Sequence, residues 1–163
     1  MRCAEQISSL LVYLTSTEGE GVAAIPPSPP NCYNTNMKTI LVDAIGALVL
    51  KEEGLYKPMV DMLDTYPNKK IILTNANNKE IQKFGLTYLP YELFTLQHDP
   101  EKTDPEYFIQ MLDHFNLSAS DVVYFEHNDK AKQSAESVGI KTYFYDENQK
   151  DIEGLRNFLS DNL

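Results

Sequence analysis

The sequence predicts a doubly wound α/β domain, a mostly parallel five-stranded sheet with helices on both faces. Three observations lead there. Short runs rich in Val, Ile, Tyr and Phe that are apolar on consecutive positions mark strands covered on both sides. Amphipathic helical spacing fills the intervals between those runs. Apolar residues make up 42% of the 163 positions, enough to close a core without staples.

Taken in order, the first strand is Thr39–Val42, and Pro58 then sits at a helix start, with Met59, Met62 and Leu63 at i, i+3, i+4 spacing and a stop at Tyr66-Pro67. The second strand is Lys70–Leu73, followed by a short helix opened by Asn77-Asn78-Lys79-Glu80 and stopped near Gly85. Leu93–Leu96 is the third strand. Asp104-Pro105-Glu106 then starts a helix whose apolar face is Tyr107, Phe108, Met111, Leu112 and Phe115. The fourth strand is Asp121–Phe125, the next helix runs from Asp129 to Val138 and is closed by Gly139, and the fifth strand is Lys141–Tyr145. A last helix covers Asp151 to Leu159. Tyr143, Tyr145, Met59 and Met62 read as packing residues.

Residues 1–36 are unlike the rest. A short apolar stretch leads into TSTEGEG and a cluster of Pro26, Pro27, Pro29 and Pro30, which reads as an extension or linker. Met37, directly before the first strand, is the expected functional start, so the domain is 37–163; the alternative is a helix over residues 3–14 packed on it. Cys3 and Cys32, the two cysteines, both fall in the extension, which excludes cysteine chemistry from the domain. The apolar stretch Ile7–Leu14 is too short to span a bilayer and has weak signal-peptide character, so a cytoplasmic location is expected. A net charge of −10 argues against nucleic acid as a partner.

Ligands of such a sheet collect outside the carboxyl ends of its strands. The polar residues there are Asp43, Thr74-Asn75, Gln97-His98 with Lys102 nearby, and Glu126-His127-Asn128-Asp129. Two acids, a hydroxyl with backbone amides and a lysine on one rim suit phosphoryl transfer: carboxylates attack phosphorus or hold Mg²⁺, donors hold the oxygens, and lysine neutralises charge. His98 and His127 lack a defined third ligand, so hydrogen-bonded loop roles are expected of them rather than zinc ligation.

These segments resemble, in order, the four motifs of the haloacid dehalogenase superfamily. ILVDAIGALV is similar to the first, an apolar strand followed by Asp-x-Asp-Gly-Thr-Leu, and Ile71-Ile72-Leu73-Thr74-Asn75 to the second. Lys102-Thr103-Asp104-Pro105-Glu106-Tyr107-Phe108 looks like the lysine-bearing third. Val122-Val123-Tyr124-Phe125-Glu126-His127, with Gly139-Ile140 further on, resembles the fourth. The resemblance covers residues 37–163 and implies a Rossmann-like core, with Asp43 as the aspartyl-phosphate nucleophile and a Mg²⁺ ligand. It further implies that Thr74 and the Asn75 amide bind phosphate, that Lys102 bridges nucleophile and phosphate, and that Glu126 is a second metal ligand.

Two departures limit the chemistry. The acid/base aspartate of the first motif is Ile45, and the second acid of the fourth is His127, a poor ligand for a hard cation, so the Mg²⁺ site is weakened. Losing a general acid/base removes about 10²–10⁴ in rate, and activity is therefore expected to be weak or lost. Asp129 is a candidate replacement for the missing acid of the fourth motif. The intervals after the first and second motifs leave no room for a sizeable cap domain, so the site is open to small or macromolecular phosphorylated ligands. The alternatives are a non-catalytic anion-binding or protein-interaction module and a metal-independent dehalogenase-type hydrolase.

Overall fold

Strand β1, Thr39–Asp43, is buried along its whole length, as a strand paired on both edges and covered on both faces must be. A computed structural model of the chain describes residues 37–163. The expectations for the linker, the helix over 3–14 and both cysteines lie outside those residues.

After β1 comes a small antiparallel hairpin, β2 (Val49–Leu50) with β3 (Gly54–Leu55). The chain continues through α1 (Lys57–Leu63), β4 (Lys70–Thr74), α2 (Asn78–Lys83) and β5 (Glu92–Thr95). It then runs through α3 (Pro105–Phe115), β6 (Val122–Glu126), α4 (Asp129–Ser137), β7 (Lys141–Phe144) and α5 (Ile152–Asn162). The five long strands form one parallel sheet in the order β5-β4-β1-β6-β7. The chain works outwards from β1 to β5, then crosses back to β6 on the other side of β1. That reversal makes the carboxyl ends of β1 and β6 the switch point of the sheet, where a crevice opens.

Alternate side chains of each strand enter two different cores, as the two-residue period requires. Ile40, Val42, Ile72, Val123 and Phe125 pack with Met59, Met62, Leu63, Leu155 and Leu159 of α1 and α5. Leu41, Ile71, Leu73 and Tyr124 pack with Tyr107, Phe108 and Met111 of α3 and Ala135 of α4. Tyr145, Met59 and Met62 are buried packing residues, and Tyr143 lies partly buried against the first of these cores.

The expected elements are all present, with displaced ends. β5 and β6 sit one residue away from Leu93–Leu96 and Asp121–Phe125, because the parallel register pairs Thr74 with Thr95 and Glu126 with Phe144. β7 ends at Phe144, one residue short of Tyr145. Helix α1 stops at Leu63, before Tyr66-Pro67, since the Thr65 hydroxyl donates to the Met62 carbonyl at 2.6 Å and so closes the last turn. Helix α5 outruns Leu159 and reaches Asn162. The β2–β3 hairpin is unanticipated: two-residue strands carry too few positions for a periodic signal. Between β1 and α1 there is only this hairpin, and between β4 and β5 only α2 and a single 3₁₀ turn, Leu86–Tyr88. Among the described residues there is no sizeable cap, and no helix is long and apolar enough to cross a membrane.

Candidate functional site

Asp43 ends β1 and Glu126 ends the neighbouring β6. Both are excluded from solvent, at 1% and 0% exposure, a state that carboxylates tolerate only with charged or hydrogen-bonding partners. Tyr124 and Glu126, two residues apart, project to the same face of the sheet. Lys102 arrives from the loop between β5 and α3 and is also buried, at 6%. That loop is stitched to the end of β4 by the Lys102 amide, which donates to Asn75 Oδ1 at 2.8 Å.

Lys102 Nζ donates to Glu126 Oε2 at 2.7 Å and also, in a short contact, to Asp43 Oδ1. His127 Nδ1 lies 2.5 Å from Asp43 Oδ2 and 3.1 Å from Glu126 Oε1. Tyr124 donates its hydroxyl to Glu126 Oε2, and the Asn128 amide donates to Oε1 at 2.8 Å. Two acids and two bases therefore close a four-membered charge cluster. Burial works against the His127 cation, but hydrogen bonds to Asp43 and Glu126 outweigh it and raise its pKa to about 10. Burial likewise opposes ionisation of Glu126, yet Lys102 and its hydrogen-bond donors hold it down to about 2. For Asp43, burial and the adjacent Glu126 push the carboxyl up, opposed by Lys102 and His127. Lys102 stays charged because its two carboxylates outweigh the cost of burying it.

The cluster forms the floor of a cleft of about 200 Å³, whose lining includes Ile45, Thr74, Asn75, Lys51 and His98. All four motif segments thus meet at one rim. Thr74 Oγ1 accepts from the Ala76 amide at 3.1 Å, which leaves the hydroxyl proton free to donate to a ligand. The wall behind Thr74 is braced by the buried Tyr107 hydroxyl, which donates to the Thr74 carbonyl at 2.9 Å.

Asp129 departs from expectation, and His98 keeps the hydrogen-bonded loop role expected of it. Asp129 lies at the start of α4, where its carboxylate accepts from Gln133 Nε2 at 2.5 Å, outside the cleft, so it does not replace the missing acid. His98 is held at the mouth by Glu80 at 2.9 Å and Glu101 at 3.1 Å. The residues of Asp43, Glu126 and His127 that could ligate a metal bring their donor atoms within 4.8 Å of one another. Tyr124 is a further site residue, and its spacing of two from Glu126 on a strand is the signal in the sequence that marks it.

The sequence matches no protein-family model, and no curated protein matches it. Solved structures do. A candidate beta-phosphoglucomutase from Thermotoga maritima superposes with a TM-score of 0.54 at 16% identity, covering 78% of this chain and 100% of that one. The core domain of a candidate phosphoglycolate phosphatase from Streptococcus pneumoniae gives 0.51 at 17% identity, with 76% and 96% covered. The chain has the haloacid dehalogenase-like fold. A magnesium complex of an enzyme of that superfamily from Bacteroides thetaiotaomicron gives 0.51 at 11% identity, over 74% and 99% of the two chains. At such identities the likeness concerns the haloacid dehalogenase-like architecture, and the chemistry is argued from the cleft itself.

Proposed function

We propose that this chain is a capless, cytoplasmic, phosphate-binding domain of hydrolase ancestry, in which aspartyl-phosphate chemistry at Asp43 is weak or lost. The observation that carries this reading is Ile45. It lines the cleft two residues beyond Asp43, where it offers a phosphorylated ligand no proton for its leaving group and no base for water. A phosphoryl group in the cleft would be met by the Thr74 hydroxyl and the Asn75 amide, with Lys102 balancing its charge. The open rim admits a small phosphorylated molecule or a phosphorylated macromolecule.

Mg²⁺ is the cofactor that the resemblance implies, and at Asp43 and Glu126 it would supply positive charge to the phosphoryl oxygens. The donor set does not fit it as it stands. Both oxygens of both carboxylates already accept hydrogen bonds, and the third potential ligand is a nitrogen, whereas Mg²⁺ prefers six oxygens. The compensation of Asp43 by Lys102 and His127 favours one second reading, metal-independent displacement of halide by Asp43.

Release of phosphate from an aryl phosphate tests the proposal. The wild-type chain is expected to turn over far below ~1 s⁻¹, the low end of ordinary enzymes, with Mg²⁺ present or absent. The pair Ile45→Asp and His127→Asp should raise the rate by about 10²–10⁴. Ordinary turnover by the wild-type chain refutes the reading, and halide release from a haloacid without Mg²⁺ establishes the second.

A further inference from the structure

We propose that His127 occupies the place of a divalent cation between Asp43 and Glu126, so that this site is built to work without a metal. Its geometry carries the inference. The donor atoms of Asp43, Glu126 and His127 fall within the 4.8 Å span of a metal-binding cage, but the cage is already filled. Nδ1 sits 2.5 Å from Asp43 Oδ2 and 3.1 Å from Glu126 Oε1. Assigned as the donor to these carboxylates, Nδ1 carries the hydrogen and has no lone pair there for a metal. Lys102 covers Asp43 Oδ1 and Glu126 Oε2, while the Asn128 amide covers Glu126 Oε1. No carboxylate oxygen of the cage is left without a donor.

The imidazole is also seated by its surroundings. Gly46 has φ +105°, and a Cβ there would stand 2.7 Å from His127 Cγ and 2.8 Å from Cδ2 and Cε1. The ring therefore lies directly against the glycine of the turn after β1, in space that only a residue without a side chain leaves open. A divalent ion would have to displace this ring, its hydrogen bond to Asp43, its ion-pair contact with Glu126 and at least part of the Lys102 pairing. The charge that a metal would bring to an anionic ligand is instead supplied by side chains of the chain itself.

The inference concerns the metal and holds whether or not a phosphorylated ligand binds, so it can fail separately from the function proposed above. The test is a titration of the isotope-labelled full chain with Mn²⁺ alone, read as paramagnetic broadening of the amide resonances of Asp43, Glu126 and Asn128. The wild-type chain should keep these signals at millimolar Mn²⁺, and His127→Asp should lose them saturably, with at least a tenfold gain in affinity. His127→Asn serves as the second variant; it removes the ring and should also gain binding. Saturable broadening in the wild-type chain at the affinity of the variants overturns the proposal. So does the absence of any gain in both folded variants, because something other than His127 would then exclude the ion. Rapid hydrolysis of an aryl phosphate by a wild-type chain that ignores Mn²⁺ would sink the function reading and leave this one intact.

Discussion

Replacing Lys102 by methionine keeps most of the side-chain length and removes one of the two cations that balance Asp43 and Glu126. The Lys102–Glu126 contact of 2.7 Å corresponds to a Coulomb attraction of about 6 kcal/mol at an effective dielectric constant of about 20. A similar term comes from Asp43. Against these stands the desolvation of a buried ammonium and two buried carboxylates, several kcal/mol per ion. The difference that survives when one partner of a buried pair is deleted is about 3–5 kcal/mol, which for a domain of this size lowers Tm by about 10–20 °C. Thermal unfolding followed by circular dichroism at pH 7 measures it. The loss should also shrink in acid. In the wild-type chain Glu126 titrates near 2, below its unfolded value, so its contribution is full above the unfolded pKa and fades only as pH falls towards 2. In Lys102→Met the carboxylates, buried and short of a cation, have raised pKa values, so protonation relieves them as pH falls from 7 towards 4. A Tm drop below about 3 °C, or one that is equal at pH 7 and pH 4, would refute the account of the cluster as a mutually dependent buried unit.

Three further outcomes follow from the same geometry. Gly46→Ala forces a Cβ into the His127 ring and a side chain into a left-handed backbone; a loss of about 1–3 kcal/mol in denaturant unfolding is expected, together with a shifted His127 ring resonance. Tyr107→Phe deletes the donor to the Thr74 carbonyl at 2.9 Å, which should cost about 1–3 kcal/mol by leaving a buried acceptor unpaired, again measured by denaturant unfolding. The His127 pKa is raised from 6.5 to about 10, so its contribution to stability is complete below pH 6.5 and is lost as pH rises through about 10. The stability advantage of the wild-type chain over His127→Asn should therefore shrink across that interval, and an advantage that grows with pH would contradict the assignment.

Much of the fold was legible because its signals are local. Consecutive apolar residues at Ile40-Leu41-Val42 and Val122–Phe125 mark strands buried on both faces, and Asp104-Pro105 and Gly139 punctuate helices by chemistry that does not depend on distant contacts. The β2–β3 hairpin was illegible since its strands are held by their partner and by the core beneath Val49 and Leu50, not by a pattern. The candidate residues Asp43, Thr74, Asn75, Lys102 and Glu126 were visible as polar residues ending apolar runs, and all of them line one cleft. The part of Asn75 was seen only in outline: its amide was expected to face a ligand, and its side chain is what ties down the Lys102 loop.

His127 shows where local reading stops. In the sequence it is a substitution at an acidic position, which signals a weakened metal site and nothing more. Its ring bridges the two carboxylates only because β1 and β6 are hydrogen-bonded neighbours at the point where the sheet reverses direction, and because Gly46 leaves room for it. The amino-acid sequence by itself determined the doubly wound architecture, the rim on which polar residues gather, and the absence of a proton carrier at position 45. Only the tertiary structure decided that two acids and two bases neutralise one another there. Charge balance in a buried site depends on distances of a few ångströms between residues far apart along the chain, and packing alone sets those distances.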